Sequence, residues 1–375
     1  MRAIIACAGS GGHINPALAI ANTIKKNEPD SEILFLGTKT GMENDLVKKA
    51  GYNLMHIRAG RFHRKLTWYN IRNMTRAVLG VFDTKSIISK FKPDVVVGTG
   101  GFICVPVMKA AQAKKIPYIL HESNAYPGLS VKLVAKDAAK VLLGFEDAAS
   151  RLPSGTNTVF TGTPAKFDMD DMRTLDKNEC RKLVFGENEN DSKNKNKKIV
   201  FITGGSQGAI KFNKTVIDMV RKYKPEEVFF VIAVGPSNYD SVIDSIKDEP
   251  ELNQYLKVEK FVYEMDKMYK AADLLITRAG AMTVTELSIA RRPAILIPLP
   301  TAAENHQLFN AKVMENAGAG IVIEENILNE DLLYDKIKEV VKDEKLLSLM
   351  GDNAAKLYKP NVEQEIYNEI KSVVK

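Results

Sequence analysis

A doubly wound α/β fold, built twice along 375 residues, is the class this sequence predicts. Two observations predict it. Twelve short, β-branched apolar runs alternate with helix-length segments, and each half opens with a strand, a glycine-rich turn and a helix. Continuous apolar runs separated by helices are the pattern of parallel strands covered on both faces. In the first half the runs lie at 2–8, 32–37, 94–98, 118–121, 140–145 and 158–161. In the second they lie at 198–203, 228–234, 258–262, 274–277, 294–298 and 320–324. The two opening turns are Cys7-Ala-Gly-Ser-Gly-Gly-His13 and Thr203-Gly-Gly-Ser-Gln-Gly208.

Each half therefore reads as one Rossmann-like domain, 1–164 and 165–361, with a cleft expected between them and Thr161-Gly-Thr-Pro164 closing the first. The tract 187–198, dominated by Asn, Lys and Glu, is expected to be a disordered loop before the second domain's first strand. The segment 362–375 carries Ile366, Ile370 and Val373 at helical spacing and is expected to rejoin the first domain as a helix.

Composition narrows the class. With 45% hydrophobic and 26% charged residues the chain is that of an ordinary globular protein. Its length lets it bury roughly three quarters of its unfolded surface without staples. Cys7, Cys104 and Cys180 have no zinc spacing and are odd in number, which fits a reduced compartment. The longest apolar run, 228–234, is far below the roughly 18 residues of a spanning helix, and residues 1–8 run straight into glycines, unlike a signal peptide. Neither membrane spanning nor secretion is expected. The net charge of +7 divides unevenly: residues 1–165 hold 22 Lys and Arg against 11 Asp and Glu, a net +11, and residues 166–375 hold 31 against 35, a net −4. The first half is expected to meet an anionic partner.

A glycine-rich turn between a strand and a helix presents backbone N–H groups and a positive helix end to a phosphate. Three such turns occur, at 9–12, 98–101 and 204–208. A dinucleotide oxidoreductase is excluded, because neither half has a complete G-x-G-x-x-G or an acid closing its second strand. No P-loop sequence exists. Asp168-Met-Asp170-Asp171 has the spacing of a metal motif but no apolar strand before it, so it reads as a helix start. Two phosphate-binding domains suit a nucleotide-sugar glycosyltransferase.

At this point the motifs Cys7-Ala-Gly-Ser-Gly-Gly-His-Ile-Asn-Pro-Ala-Leu-Ala-Ile-Ala21, Gly98-Thr-Gly-Gly-Phe102, His121-Glu-Ser-Asn124, Gly204-Gly-Ser-Gln-Gly-Ala209 and Arg278-Ala-Gly-Ala-Met-Thr-Val-Thr-Glu286 together closely resemble the MurG family. The resemblance implies a GT-B fold and inverting transfer of GlcNAc from UDP-GlcNAc. The acceptor would be the C4 hydroxyl of undecaprenyl-pyrophosphoryl-MurNAc-pentapeptide, lipid I, and the product lipid II of peptidoglycan synthesis. Other readings at this stage are another GT-B lipid glycosyltransferase, a UDP-GlcNAc 2-epimerase, or a nucleotide-sugar-binding protein without catalysis. No obligatory cofactor and no metal follow, a divalent cation being at most a stimulant.

The resemblance also assigns roles. In the second domain, Ser206 would meet the diphosphate or ribose, Val262 would read uracil through its main chain, and Glu286 would accept both ribose hydroxyls. Ala281, Met282, Thr283, Val284 and Thr285 lead the helix into Glu286, and Gln307 would contact the donor sugar. Lys166 stands where most relatives carry Arg, keeping the charge but losing the planar fork. In the first domain, Ser10, Gly11 and Gly12 would cradle the acceptor diphosphate or face the sugar, and Asn124 would contact GlcNAc. His13, at a helix start that favours the neutral imidazole, would be the general base, with Glu122 its rival.

From 46 to 82 there are eight Lys and Arg and no acid. Within this stretch Trp68, Ile71, Leu79 and Phe82, with Met74 and Val78, form an apolar set flanked by Arg72 and Arg76. That is the pattern of an interfacial helix on an anionic membrane. A peripheral place on the cytoplasmic face of the cell membrane is expected, with no nucleic-acid partner.

Overall fold

The computed structural model describes residues 1–60, 68–186, 196–205 and 209–374, and for 68–71 the backbone alone. The chain divides into two compact units, Met1–Ala165 with Lys359–Lys375, and Lys166–Tyr358.

In the first unit seven parallel strands stand in the order β3-β2-β1-β4-β5-β6-β7. They are β1 (Arg2–Ala6), β2 (Glu32–Gly37), β3 (Asn53–His56), β4 (Val95–Gly98), β5 (Tyr118–Glu122), β6 (Lys140–Leu143) and β7 (Thr158–Phe160). Ile4, Val96, Leu120 and Val141 are buried on one face, and Ile5, Val97, Ile119 and Leu142 on the other. This two-sided burial is why the strands read as unbroken apolar runs. Chain order reverses between β1 and β4, so the turns after these strands diverge and leave a crevice at their carboxyl ends.

Helix α1 (Gly11–Asn27) covers one face with Ala17, Ile20, Ala21 and Ile24, and closes on Lys25 and Lys26, which suit its negative end. The terminal helix Val362–Lys371 packs Ile366 and Ile370, both essentially unexposed, into the same cluster. Burying two such side chains contributes roughly 1.5–3 kcal/mol each. Glu28 fastens this helix: its carboxylate accepts from Tyr367 Oη at 2.9 Å, Lys371 Nζ at 2.5 Å and the N-terminal ammonium at 2.8 Å.

The second unit has six parallel strands in the order β10-β9-β8-β11-β12-β13. They are β8 (Lys198–Thr203), β9 (Val228–Ala233), β10 (Leu256–Glu259), β11 (Leu274–Thr277), β12 (Ala294–Leu296) and β13 (Gly320–Val322). Helices Ile210–Tyr223, Met265–Ala271, Ala281–Ala290 and His306–Asn316 follow β8, β10, β11 and β12.

Two strands differ from the sequence reading. β3 is absent from it because Asn53-Leu-Met-His56 has no β-branched residue and forms a half-exposed edge. β10 lies at Leu256–Glu259 rather than 258–262: its ladder with β9 ends at Glu259, and 260–263 run on as a loop. Residues 187–195, part of the tract read as a loop, lie outside the described residues.

Candidate active site

The turn after β1 begins with Gly9, whose φ of +104° favours glycine. Ser10 is the exposed, extended N-cap of α1, and its side chain caps no N–H. The helix is closed by the bonds from His13 N and Ile14 N to Ser10 O, at 3.0 and 3.2 Å. Beside them the N–H groups of Gly11 and Gly12 meet no acceptor among the described residues and belong to the open, positive end of the helix.

His13 occupies the first turn of α1, half-buried, with Nδ1 3.2 Å from the carbonyl oxygen of Thr99. A carbonyl can only accept, so Nδ1 carries a proton, and in the neutral imidazole the lone pair is then on Nε2. Thr99 returns the contact, its Oγ1 donating to His13 O at 2.7 Å. The loop after β4 is shaped to this ring. A Cβ at Gly100 would stand 2.6 Å from His13 Nδ1, one at Gly101 2.4 Å from Ala8 O, and both have positive φ. Gly100, in a turn read from sequence as a phosphate site, makes room for the imidazole, and Gly101 makes room for the Ala8 carbonyl.

Glu43, which carried no signal in the sequence reading, is fully buried beneath the first turn. It accepts from Thr38 N at 2.9 Å, Thr38 Oγ1 at 2.7 Å and, more weakly, Gly9 N at 3.4 Å. Side chains at Gly37 or Gly41 would overlap it, so two glycines are the trace it leaves in the sequence.

At the end of β5 the buried Glu122 has both oxygens engaged. Oε1 accepts from Asn124 N and Nδ2, each at 3.0 Å, and Oε2 from Gly128 N at 2.9 Å. Burial raises its pKa and these bonds oppose the rise. These three bonds tie Glu122 to the loop that carries Asn124, and one acceptor site remains on Oε2. His121 is fully buried, with Nε2 3.1 Å from Gly162 O and Nδ1 3.3 Å from Ser123 Oγ. Desolvation lowers its pKa to about 4, so it is a neutral brace. All three cysteines are buried, and burial raises the pKa of each thiol.

In the second unit Gly205, after β8, has φ +85°, and Ser206 lies outside the described residues. After β11, Arg278 is buried, donating to the carbonyl of Ile297 at 3.2 Å and paired with Glu325, so it ties together the loops after β11, β12 and β13. The next helix begins uncapped at Gly280. Its periodicity splits the expected binding run: Ala281 and Val284 are in the core, and Thr285 Oγ1 turns back to Ala281 O at 3.1 Å. Only Met282, Thr283 and Glu286 present half-exposed side chains that are not turned back on the helix; Val284 N is already bonded to Gly280 O, and Ala281 can offer its backbone alone.

Glu286 Oε2 accepts from Tyr269 Oη at 3.0 Å. Burial raises its pKa, while the Tyr269 bond and the charge of exposed Lys166 lower it. The structure thus brings Lys166 within electrostatic reach of Glu286. Gln307 Oε1 is held by Leu299 N at 2.9 Å, which leaves its amide NH₂ as the donor group. Just before it, Glu304 and Asn305 are consecutive left-handed residues, a strained turn of the kind that collects at ligand sites. Val262 lies in the loop after β10 between exposed Phe261 and Tyr263, and its own N–H and C=O make no backbone hydrogen bond among the described residues.

Asp168 and Asp171 form a capping box, Asp168 Oδ1 accepting from Asp171 N at 2.8 Å and Asp171 Oδ2 from Asp168 N at 2.9 Å, so this acidic run is a helix start. Among the described residues no group of three or more His, Cys, Asp or Glu is arranged to hold a metal ion. Nor is any helix long and apolar enough to cross a membrane.

On the helix Trp68–Phe91 Met74, Val78 and Phe82 are 61, 53 and 61% exposed, one turn apart. The helix's buried side carries Asn73, Thr84, Ile87 and Ile88 instead. Arg72 is exposed, Arg76 and Leu79 are half-buried, and the side chains of Trp68 and Ile71 lie outside the described residues.

Two doubly wound units with their site residues at the carboxyl ends of the strands define a nucleotide-sugar glycosyltransferase architecture. Residues 3–143 match the glycosyltransferase family 28 N-terminal domain and 199–366 its C-terminal domain. The chain is 38% identical over 374 residues to the UDP-N-acetylglucosamine–N-acetylmuramyl-(pentapeptide) pyrophosphoryl-undecaprenol N-acetylglucosamine transferase of Thermoanaerobacter sp. (strain X514), covering 100% of both chains. It is 37% identical to the same transferase of Clostridioides difficile (strain 630), covering 100% of this chain and 89% of the relative. The crystal structure of Acinetobacter baumannii MurG superposes with a TM-score of 0.79 at 27% identity, over 99% of each chain. The chain belongs to the MurG family of N-acetylglucosamine transferases.

Proposed function

We infer that this chain transfers GlcNAc from UDP-GlcNAc to the C4 hydroxyl of undecaprenyl-pyrophosphoryl-MurNAc-pentapeptide, converting lipid I to lipid II in peptidoglycan synthesis. The observation that carries the reading is the full-length identity, 38%, to a transferase named for this donor and acceptor.

The geometry supports a division of labour. His13 Nε2 takes the proton from the C4 hydroxyl, whose oxygen forms the new bond to the anomeric carbon as that carbon's bond to UDP breaks, inverting the centre. The N–H groups of Gly11 and Gly12, with Ser10, receive the acceptor diphosphate, and Asn124, set by Glu122, meets the sugar. In the second unit Glu286 accepts the ribose hydroxyls, the Val262 main chain reads uracil, and the Gln307 amide donates to the donor sugar. The helix start around Met282 and Thr283 receives the diphosphate, with Ser206 in the role its motif implies, and Lys166 adds positive charge near Glu286.

The exposed Met74, Val78 and Phe82, beside Arg72 and Arg76, support a peripheral seat on anionic lipid at the cytoplasmic face of the membrane. Exposed Leu129 and Leu133, around Lys132, add a second apolar and basic pair in the same unit.

The test is incubation with UDP-GlcNAc and a short-chain lipid I analogue. Release of UDP with formation of the β-1,4 disaccharide is expected. Absence of both products under conditions where the protein binds UDP would overturn the reading.

A further inference from the structure

The carboxylate read as the ribose acceptor is itself held in place. Tyr269, 1% exposed in the helix Met265–Ala271, donates its phenol O–H to Glu286 Oε2 at 3.0 Å. The phenol has little freedom to move. The rings of Phe167 and Phe201 lie 5.9 and 6.5 Å from its own. Arg292 fixes the backbone behind it, Nε donating to Tyr269 O at 2.8 Å and Nη2 to Lys270 O at 3.0 Å. Burial raises the phenol's pKa well above its ordinary value, so it stays a donor.

We propose that Tyr269 is a positioning residue for the donor nucleotide, setting the rotation of the Glu286 carboxylate so that each oxygen meets one ribose hydroxyl. The proposal rests on the ribose reading of Glu286. The last torsion of a glutamate is broad and roughly two-fold, so an unanchored carboxylate samples many orientations. One charge-assisted bond to Oε2 stops that rotation and uses a single lone pair. One acceptor site on Oε2 and two on Oε1 remain, which a vicinal diol can use one from each oxygen. Neighbouring groups do not duplicate this role: Thr285 Oγ1 is turned to Ala281 O, and Lys166 acts on Glu286 through its charge.

The experiment is calorimetric titration of wild type, Tyr269→Phe and Glu286→Gln with UDP and with 2′-deoxy-UDP, together with kcat on UDP-GlcNAc. Tyr269→Phe keeps the ring packing and removes only the hydroxyl. Its expected effect is an approximately tenfold weaker UDP affinity, an affinity for 2′-deoxy-UDP within about twofold of wild type, and a saturated kcat within about twofold. Equal weakening of both nucleotides, with a parallel fall in melting temperature, would overturn the proposal, since a structural phenol does not distinguish the sugars. If Glu286→Gln abolishes the discrimination and Tyr269→Phe preserves it, the positioning role alone fails. If Glu286→Gln preserves it, the ribose reading fails and takes the proposal with it.

Discussion

The two units share an architecture and use their buried acids in opposite ways. In the first, Glu43 and Glu122 are turned into the loops after β1, β2 and β5 and bond to backbone N–H groups there. In the second, Arg278 bonds to the carbonyl oxygen of Ile297 after β12 and Arg292 to those of Tyr269 and Lys270 in the helix Met265–Ala271, and Glu286 is left half-exposed beside Tyr269. The first unit therefore hides its negative charge and shows amides, an imidazole and a surplus of cations. The second hides cations and shows a carboxylate. An anionic lipid diphosphate suits the former, and a ribose diol, which needs acceptors, suits the latter. The charge division of +11 and −4 follows the same line.

This contrast breaks most easily at His13. If the first unit supplies the chemistry and the second the donor affinity, His13→Ala lowers kcat by roughly 10²–10⁴ while leaving the KM for UDP-GlcNAc close to wild type. Steady-state kinetics with varied donor read both at once. A comparable loss in donor KM would place His13 among the binding groups and erase the distinction.

Gly100→Ala sharpens the same point without touching the imidazole's chemistry. The new methyl would stand 2.6 Å from Nδ1 at a φ of +107°, so either the ring or the loop must move. Strain of this kind costs about 1–3 kcal/mol, and displacing a catalytic group by an ångström costs about a hundredfold in rate. Reduced kcat, a lowered melting temperature and unchanged UDP affinity are expected. Had the turn served to bind a phosphate, acceptor KM would change instead.

How far the sequence reveals these sites depends on what each residue is doing. Buried parallel strands write themselves as continuous apolar runs, and glycines at strand ends mark close approach. The sheets and the loops were therefore legible, apart from the polar edge strand β3. Residues that hold other residues were not. Glu43 sits in Met42-Glu-Asn-Asp45, which reads as ordinary acidic residues opening a helix, and its burial depends on the absence of side chains at Gly37 and Gly41. Tyr269 reads as one more aromatic on a helix's core face, because its partner Glu286 lies 17 positions away. Ala281 and Val284 fell inside a recognised motif, yet helical periodicity turns them to the core.

The charge contrast is open to a gentler test at the membrane. Neutralising Arg72 and Arg76 together removes about 1 kcal/mol each of attraction to an anionic surface, or roughly thirtyfold in vesicle binding at low salt. Sedimentation with phosphatidylglycerol vesicles should show that loss, and the wild type should lose binding as salt rises. Neutralising Lys222 and Lys224, on the second unit, should leave vesicle binding unchanged.

The smallest effects come from pH, and here the two units should differ in sign. Glu28 has its pKa lowered to about 2, first by the bond from Lys371 and then by the N-terminal ammonium. Its contribution is fully present above the ordinary carboxylate value of 4.5 and is lost as pH falls through about 2. Screening at this solvent-facing site leaves about 1 kcal/mol. Glu286 is the reverse case. Burial raises its pKa, so folding favours its protonated form; that advantage is present below 4.5 and is lost as pH rises through the raised value. Thermal unfolding followed from pH 2 to pH 7 should therefore show Glu28→Gln flattening the acid limb. Glu286→Gln should raise the melting temperature slightly at neutral pH even as UDP affinity falls. A fall in stability on Glu286→Gln would mean that the bond from Tyr269 outweighs the cost of partly burying the carboxylate, and the second unit would then hold its half-exposed acid as firmly as the first holds its hidden ones.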